Sequence, residues 1–220
     1  MSKKPSLDEF KCVLFDFDGV LVDSEPLHLA MFQKVLEDVG VQLNSKEYYE
    51  KYLGLDDKGV FTAVLKDYGR PISAAFVQNM IRRKNRVFKQ KAEKEAVLLP
   101  GVKAFVKKIA AKTPVGIVSG ALRDEIILML KSTGLKEYFP VIISAEDVKN
   151  GKPSPEGFLL GLKKTAAYFR KKIKADETLV IEDSPWGIEA ARKAGMKSLA
   201  VTNSYKKKEL GKADWIVTGL

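Results

Sequence analysis

Two aspartates, Asp16 and Asp18, stand at the end of the apolar stretch VLFDFDG near the start of the 220-residue chain. In an extended strand, residues two positions apart point to the same side, so both carboxylates would share one face and Phe17 the other. Two carboxylates this close resist joint ionisation unless a cation or a shared proton relieves their repulsion. The pattern predicts a cation site or an acid–base pair. A polar turn is the alternative, because Asp and Gly are common in turns.

Further polar residues follow other apolar, strand-like segments. Ser119 and Gly120 follow VGIV, Lys152 lies in the loop KNGKPSP after VIIS, and Glu182 and Asp183 end TLVIED. In parallel α/β sheets the catalytic and ligand-binding side chains lie at the carboxyl ends of the strands. We therefore expect these side chains to meet the first pair of aspartates at one edge of a sheet.

Each of these residues also has a purely structural interpretation. Ser119 could begin a turn, and Lys152 could be one more solvated lysine. Glu182 and Asp183 could cap a helix that begins near Pro185, because acidic groups are favourable at helix N-termini. The sequence alone leaves these alternatives open.

The elements that must position these residues are short segments rich in Val and Ile that alternate with helical patterns. The segments do not alternate apolar with polar residues, as expected of strands that are covered on both faces. Strand–helix alternation predicts an α/β fold with a doubly wound, Rossmann-like parallel sheet. The predicted strands lie at 11–17, 115–120, 141–144, 178–183, 198–202 and 214–218.

One region, from about Glu25 to Ala96, breaks this alternation, because four helical patterns follow one another in it. We interpret residues 25–95 as an inserted all-helical cap and residues 1–24 and 96–220 as the α/β core. Arg82, Arg83 and Lys84 lie on the last of these helices, where exposure to solvent is the expected state for such residues.

Composition limits the class of protein. With 45% hydrophobic residues the chain can bury a core, and its single cysteine excludes an internal disulfide framework. The N-terminus has no secretory signal pattern, and no apolar run approaches the roughly 20 residues that span a bilayer. The net charge of +10 favours anionic partners, but no aromatic residues interleave with the scattered lysines. We expect a cytoplasmic monomer that binds neither nucleic acid nor membranes.

Four segments occur in one order along the chain: DFDGVLVDS, a hydrophobic strand ending in Ser119, GKPSPEGF and IEDSPWGIEA. In these segments, and over nearly its whole length, the sequence resembles the haloacid dehalogenase-like (HAD) hydrolases with a helical cap after the first strand. Within that group it is similar to sugar-phosphate phosphatases and β-phosphoglucomutase. A DxDG motif alone would be weak evidence for this family, whereas four motifs in the family's order, at the ends of predicted strands, are specific evidence.

The resemblance implies phosphoryl transfer with Mg²⁺ as cofactor. Asp16 would attack phosphorus and form an aspartyl phosphate, and Asp18 would act as general acid and base. The implied Mg²⁺ ligands are the Asp16 carboxylate, the Asp18 backbone carbonyl and Asp183, with Glu182 near or in the coordination shell.

The resemblance also implies residues that contact the substrate. Ser119 and Lys152 would hold the phosphoryl oxygens, while Gly19 and Gly120 would let the backbone approach the phosphate. His28, the single histidine, lies where β-phosphoglucomutase-like members carry a histidine that approaches the acid/base residue. A structural role is the alternative for this residue.

The sequence predicts a Mg²⁺-dependent phosphatase that acts on a small phosphorylated metabolite, with a sugar phosphate as the first expectation. The alternatives are a phosphosugar mutase and a non-catalytic binding protein. The presence of Asp18 argues against a dehalogenase or a phosphonatase, because those members of the family have no aspartate at this position. Mutases of the β-phosphoglucomutase type carry an arginine in a cap loop, where this chain has Asp56 and Asp57. Because each acidic charge should repel a second phosphate by about 1 kcal/mol or more, the loop favours hydrolysis.

Overall fold

The structure, a computed structural model, describes residues 5–220, with the side chains of residues 89, 90, 93 and 94 outside the description. Residues 1–4 of the predicted core segment therefore lie outside the described part of the chain. The chain divides into two structural units, one of Met1–Asp23 with Ala96–Leu220 and one of Ser24–Glu95.

The second unit, called the cap below, is built from helices α1 (Glu25–Glu37), α2 (Ser45–Glu47), α3 (Asp57–Asp67) and α4 (Ala74–Glu95). Helix α2 continues directly into a π-helical segment, Tyr48–Tyr52. Asn44 and Asp56 cap α2 and α3 by accepting hydrogen bonds from backbone N–H groups of the first turn. Phe32 packs edge-on against Phe61 inside the cap.

The first unit, called the core below, contains six parallel strands within the described residues. Their order in the sheet is β3–β2–β1–β4–β5–β6, which confirms the predicted doubly wound α/β class. The strands are β1 (Cys12–Phe15), β2 (Val115–Val118), β3 (Val141–Ile143), β4 (Thr178–Glu182), β5 (Lys197–Val201) and β6 (Trp215–Val217).

The first strand is shorter than its sequence predicts. It ends at Phe15, although the Asp16 N–H still donates to the Ile181 carbonyl of the neighbouring strand at 2.9 Å. The chain then turns, and the N–H groups of Leu21 and Val22 both donate to the Phe17 carbonyl. Asp16 therefore stands at the point where the chain leaves the sheet.

Helices cover both faces of this sheet: α5 (Val102–Ala110), α6 (Arg123–Thr133), α7 (Glu156–Tyr168) and α8 (Pro185–Lys193). Helix α7 packs on β1, β2 and β3, and α8 packs on β4 and β5. On β1, Leu14 belongs to the apolar cluster that includes Phe158 of α7, whereas Phe15 meets Phe105 and Phe139 edge-on. Burial on both faces explains why β1 reads as a continuous apolar run.

Strand order reverses between β1 and β4, because the chain places β2 and β3 on one side of β1 and then returns to place β4 on the other. Such a switch point leaves a crevice at the carboxyl ends of the two strands. In the described part of the chain, no helix combines the length and apolar character needed to cross a bilayer.

Candidate active site

The carboxyl ends of β1 and β4 bring Asp16 of the first predicted acidic pair together with both members of the second, Glu182 and Asp183. The strands are in parallel register, with Phe15 opposite Ile181, so that Asp16 lies beside the end of β4 at Glu182 and Asp183. Carboxylate oxygens of these three residues lie within 4.8 Å of one another, and all three residues are buried.

Lys152 joins this cluster from the loop before α7. Its Nζ lies 2.7 Å from Asp16 Oδ1 and 2.5 Å from Glu182 Oε1, and its side chain is only 18% exposed. The same Nζ lies 5.3 Å from the centre of the Phe158 ring, and the Lys152–Pro153 peptide bond is cis. The interpretation of Lys152 as a solvated lysine is therefore wrong.

Glu182 has protein partners at both carboxylate oxygens. Oε1 accepts from Lys152, while Oε2 accepts from the N–H groups of Asp183 and Ser184, each at 3.0 Å, and from the Ser184 hydroxyl at 2.9 Å. The cap of α8 is Ser184, whose hydroxyl accepts from the Gly187 N–H, so the interpretation of the acidic pair as the helix cap is wrong. A Cβ on Gly187 would lie 1.7 Å from Glu182 Oε1, and glycine leaves room for the carboxylate.

Asp183 is held between the loops that follow β1 and β5. Its Oδ2 accepts a hydrogen bond from the Ser204 hydroxyl. A Cβ on Gly19 would lie 1.9 Å from the same Oδ2, and Gly19 has a φ of +70°. The resemblance implies that Gly19 lets the backbone approach a phosphate, and that role stays a prediction. The space that its missing side chain leaves is taken by the Asp183 carboxylate.

Ser119 and Gly120 follow β2 at the same edge of the sheet. The Ser119 hydroxyl lies 3.4 Å from Asp18 Oδ2 and accepts a hydrogen bond from the Ala121 N–H at 2.9 Å. The contact with Asp18 supports the interpretation of Ser119 as a site residue, and the contact with Ala121 supports its interpretation as a turn residue. A Cβ on Gly120 would meet no heavy atom within 4 Å.

Burial and like charge make the carboxylates of this cluster hard to ionise together. Burial, followed by the charge of Glu182, raises the pKa of Asp16 to about 7, and Lys152 opposes this rise. Burial, Glu182 and Asp16 likewise raise the pKa of Asp183 well above its usual value, against the hydrogen bond from Ser204. Burial lowers the pKa of Lys152, but Asp16 and Glu182 outweigh it, so that the pKa is raised overall.

This electrostatic imbalance fits a bound divalent cation. Lys152 supplies one positive charge against three buried carboxylates, and carboxylate oxygens are the donors that hard cations such as Mg²⁺ prefer. A cation in this cluster would stabilise the ionised carboxylates. The donor set therefore suits a divalent metal ion.

His28 belongs to the cap and has its partners there. Its Nδ1 lies 3.0 Å from Lys84 Nζ, and its ring stacks on Phe88 with 4.6 Å between the ring centres. Burial, together with the charge of Lys84, lowers the pKa of His28 well below its usual value. A neutral imidazole at this position can accept a hydrogen bond from the lysine.

Lys84 is buried, so the expectation that it faces solvent is wrong. The residue is 1% exposed, forms an ion pair with Asp57, and lies 4.4 Å above the Phe32 ring. Arg83 instead pairs with Asp38 and keeps a side-chain exposure of 40%.

Sequence reasoning did not single out Ser204, Gly187 or the burial of Lys84. Ser204 had a signal, because it follows the predicted strand at 198–202 and so shares the edge at which the other site residues were sought. Gly187 lay inside the quoted segment IEDSPWGIEA, but the contact that requires a glycine there is with a side chain five residues earlier.

A lysine paired with buried carboxylates at the switch point of a parallel sheet marks a candidate active site of an α/β protein. The sequence matches the model of the haloacid dehalogenase-like hydrolases over residues 13–201. The chain belongs to this family.

Three comparisons extend this assignment. The chain is 28% identical over 191 residues to a phosphorylated carbohydrates phosphatase of Thermotoga maritima, covering 86% of this chain and 83% of the relative. A putative β-phosphoglucomutase from Thermotoga maritima is 26% identical with a TM-score of 0.75, covering 94% of each chain. CbbY from Rhodobacter sphaeroides, in complex with phosphate, shares the fold with a TM-score of 0.82 at 22% identity, covering 96% of this chain and 94% of that one. The hydrolase family and the relative named as a phosphatase support phosphatase activity for this chain.

Proposed function

We propose that the protein is a Mg²⁺-dependent phosphatase that hydrolyses a small sugar phosphate through an aspartyl-phosphate intermediate. The observation that carries this proposal is the ion pairing of Lys152 with Asp16 and Glu182 beside Asp183. These are the residues to which the proposal assigns the roles of nucleophile, phosphate-binding group and metal ligands. The similarity to a phosphatase of phosphorylated carbohydrates supports the substrate class.

In the first step an Asp16 oxygen attacks phosphorus while the bond from phosphorus to the sugar oxygen breaks. Asp18 gives its proton to that oxygen, so the sugar leaves as a neutral alcohol. In the second step Asp18 takes a proton from water as the water attacks phosphorus, which frees Asp16 and releases inorganic phosphate. Lys152 and Ser119 hold the phosphoryl oxygens through both steps.

The Asp16 carboxylate, the Asp18 backbone carbonyl and Asp183 would hold the metal ion, with Glu182 beside them. When bound, Mg²⁺ neutralises part of the charge on the phosphoryl oxygens and on the clustered carboxylates. Glu182, whose two oxygens both have protein partners, would act chiefly by fixing the Lys152 ammonium in position.

Phosphosugar mutase activity is the second candidate, and the similarity to a putative β-phosphoglucomutase favours it. Within the cap, the contacts of the acidic loop weaken one argument against it. Asp56 caps α3 and Asp57 pairs with Lys84, so these charges repel a second phosphate less than the sequence suggests. Hydrolysis remains our choice, because this loop carries acidic residues where mutases of that type carry arginine.

Hydrolysis of p-nitrophenyl phosphate and of a panel of sugar phosphates tests the proposal. We expect phosphate release with Mg²⁺, loss of release with EDTA, and no detectable release by Asp16→Asn with an unchanged circular dichroism spectrum. The control variant is Ser132→Ala, at an exposed position of the α/β unit, and it should keep full activity. Full activity in EDTA, or in Asp16→Asn, would contradict the mechanism.

A second assay distinguishes hydrolysis from the mutase reaction, in which the phosphoryl group moves from one position of the sugar to another. The protein is incubated with β-glucose 1-phosphate and a catalytic amount of glucose 1,6-bisphosphate, and both products are measured. We expect free phosphate. Formation of glucose 6-phosphate without free phosphate would show the mutase instead.

A further inference from the structure

The loop after β5 contacts two parts of the candidate metal site. Because β5 lies parallel to β4, with Ala200 opposite Glu182, the residues that follow β5 lie beside those that follow β4. Asn203 and Ser204 are in this loop. Ser204 reaches the end of β4, and Asn203 reaches the turn after β1.

The Ser204 hydroxyl donates to Oδ2 of the buried Asp183 carboxylate. This oxygen also faces Gly19, since a Cβ on Gly19 would lie 1.9 Å from Asp183 Oδ2 and 2.6 Å from Ser204 Oγ. The carboxylate is thus confined by a hydroxyl on one side and by backbone on another. Such confinement fixes the direction in which its remaining lone pairs point.

The Asn203 side-chain amide donates to the backbone carbonyl of Gly19 at 2.7 Å. Gly19 directly follows Asp18, and its N–H donates to the Val22 carbonyl at 2.9 Å. The amide of Asn203 therefore fixes the peptide next to the Asp18 carbonyl, in a turn that is also closed by its own hydrogen bond.

We propose that Asn203 and Ser204 are positioning residues for the divalent cation of the core. They connect the turn after β1 with the carboxylate that follows β4, and so restrain the two proposed ligand groups, the Asp18 carbonyl and the Asp183 carboxylate. This inference rests on the proposed metal-dependent function. Neither residue is proposed to touch the substrate.

Partners that orient metal ligands are commonly worth 10- to 100-fold in metal affinity. We expect Ser204→Ala to weaken Mn²⁺ binding about 10-fold, because Asp183 then rotates more freely. Ser204→Thr keeps a hydroxyl and should stay within about 3-fold of the wild type. Asn203→Ala, which affects a backbone carbonyl through its neighbour, should weaken binding by a smaller factor, about 3-fold.

The experiment is calorimetric titration of the substrate-free protein with Mn²⁺, with folding of each variant checked by thermal unfolding in EDTA. Ser132→Ala, which removes a hydroxyl that bonds to its own helix at the Met129 carbonyl, is the matched control and should bind like the wild type. In an Asp183→Asn background, Ser204→Ala should have no further effect on affinity, a coupling that general loss of packing would not produce.

The outcomes separate this inference from the proposed function. Tight binding by the wild type with equal affinity in Ser204→Ala would overturn the positioning role and leave the metal-dependent phosphatase standing. Equal losses in Ser204→Thr and Ser204→Ala, with both folded, would also overturn it. Absence of Mn²⁺ binding by the wild type would overturn the metal-dependent function itself, and the positioning role with it.

Discussion

Gly19 offers the sharpest test of the core site, because its missing side chain leaves the space next to Asp183. In Gly19→Ala the new Cβ would lie 1.9 Å from Asp183 Oδ2, whereas real Cβ atoms essentially never approach closer than 3.0 Å. The carboxylate or the turn must therefore shift by at least about 1 Å. A misplacement of about 1 Å in a catalytic site can lower the rate about 100-fold, and we expect a loss of at least that size.

The backbone contributes a separate cost that must be measured apart from this displacement. Gly19 has a φ of +70°, and a left-handed conformation costs a residue with a Cβ roughly 1–2 kcal/mol. Gly69 has a similar φ of +61°, and a Cβ there would meet nothing within 4 Å. Gly69→Ala therefore reports the backbone cost alone and serves as the matched control.

The assays are hydrolysis of p-nitrophenyl phosphate and urea unfolding of both variants. We expect Gly69→Ala to lose about 1–2 kcal/mol of unfolding free energy and to keep its activity. Gly19→Ala should lose activity even at temperatures where it is folded. If Gly19→Ala kept activity within about 5-fold of wild type, while losing only as much stability as Gly69→Ala, the argument that Asp183 must hold this position would be refuted.

Two further predictions concern stability. Burial raises the pKa of Asp147, but hydrogen bonds from Ser144 and the charge of the Arg123 guanidinium outweigh it and lower the pKa to about 2. The ionised carboxylate therefore stabilises the folded state fully above the usual pKa of an aspartate, and this contribution is lost as the pH falls towards 2. Asp147→Asn should lower the free energy of unfolding in urea by about 1–2 kcal/mol at pH 7 and by much less near pH 2. The control is Asp8→Asn at an exposed position. Equal losses at both pH values would contradict this prediction. In the cap, Asp57→Ala leaves the charge of buried Lys84 without its carboxylate and should cost about 3 kcal/mol in thermal or urea unfolding. Lys84→Met leaves the partly exposed Asp57 carboxylate and His28 Nδ1 without their lysine but buries no unpaired charge, so it should cost clearly less. Equal losses in these two variants would show that burial of the charge does not control the pair.

The positions of the strands along the chain could be predicted because the core strands are buried on both faces. Burial makes them short apolar runs, and the polar residues that interrupt those runs stand at strand ends. Asp16, Lys152 and Asp183 were predicted in this way, and the structure gathers them at one edge. That prediction needed only local sequence and the rule that parallel strands end together.

Lys84 shows what the same reasoning misses. Three arginines, Arg82, Arg83 and Arg86, lie within two residues of it, so the local composition indicates a solvated face. At helical spacing, however, Lys84 shares a stripe with Val77, Met80 and Phe88, all of which are buried. The stripe was visible in the sequence, but the carboxylate that makes burial of the lysine possible, Asp57, lies on another helix and could not be assigned to it from local sequence.

Glu182 and Asp183 are adjacent in sequence, but their hydrogen bonds suit them to different work. Glu182 is enclosed, with Lys152 at one oxygen and two N–H groups and a hydroxyl at the other, so an added ligand bond would compete with existing partners. Asp183 accepts the Ser204 hydroxyl at Oδ2, a contact that orients a carboxylate and leaves lone pairs available. A cation placed among these acids would therefore bind more readily to Asp183 and Asp16, and the negative charge of Glu182 would serve to keep Lys152 charged and directed at Asp16.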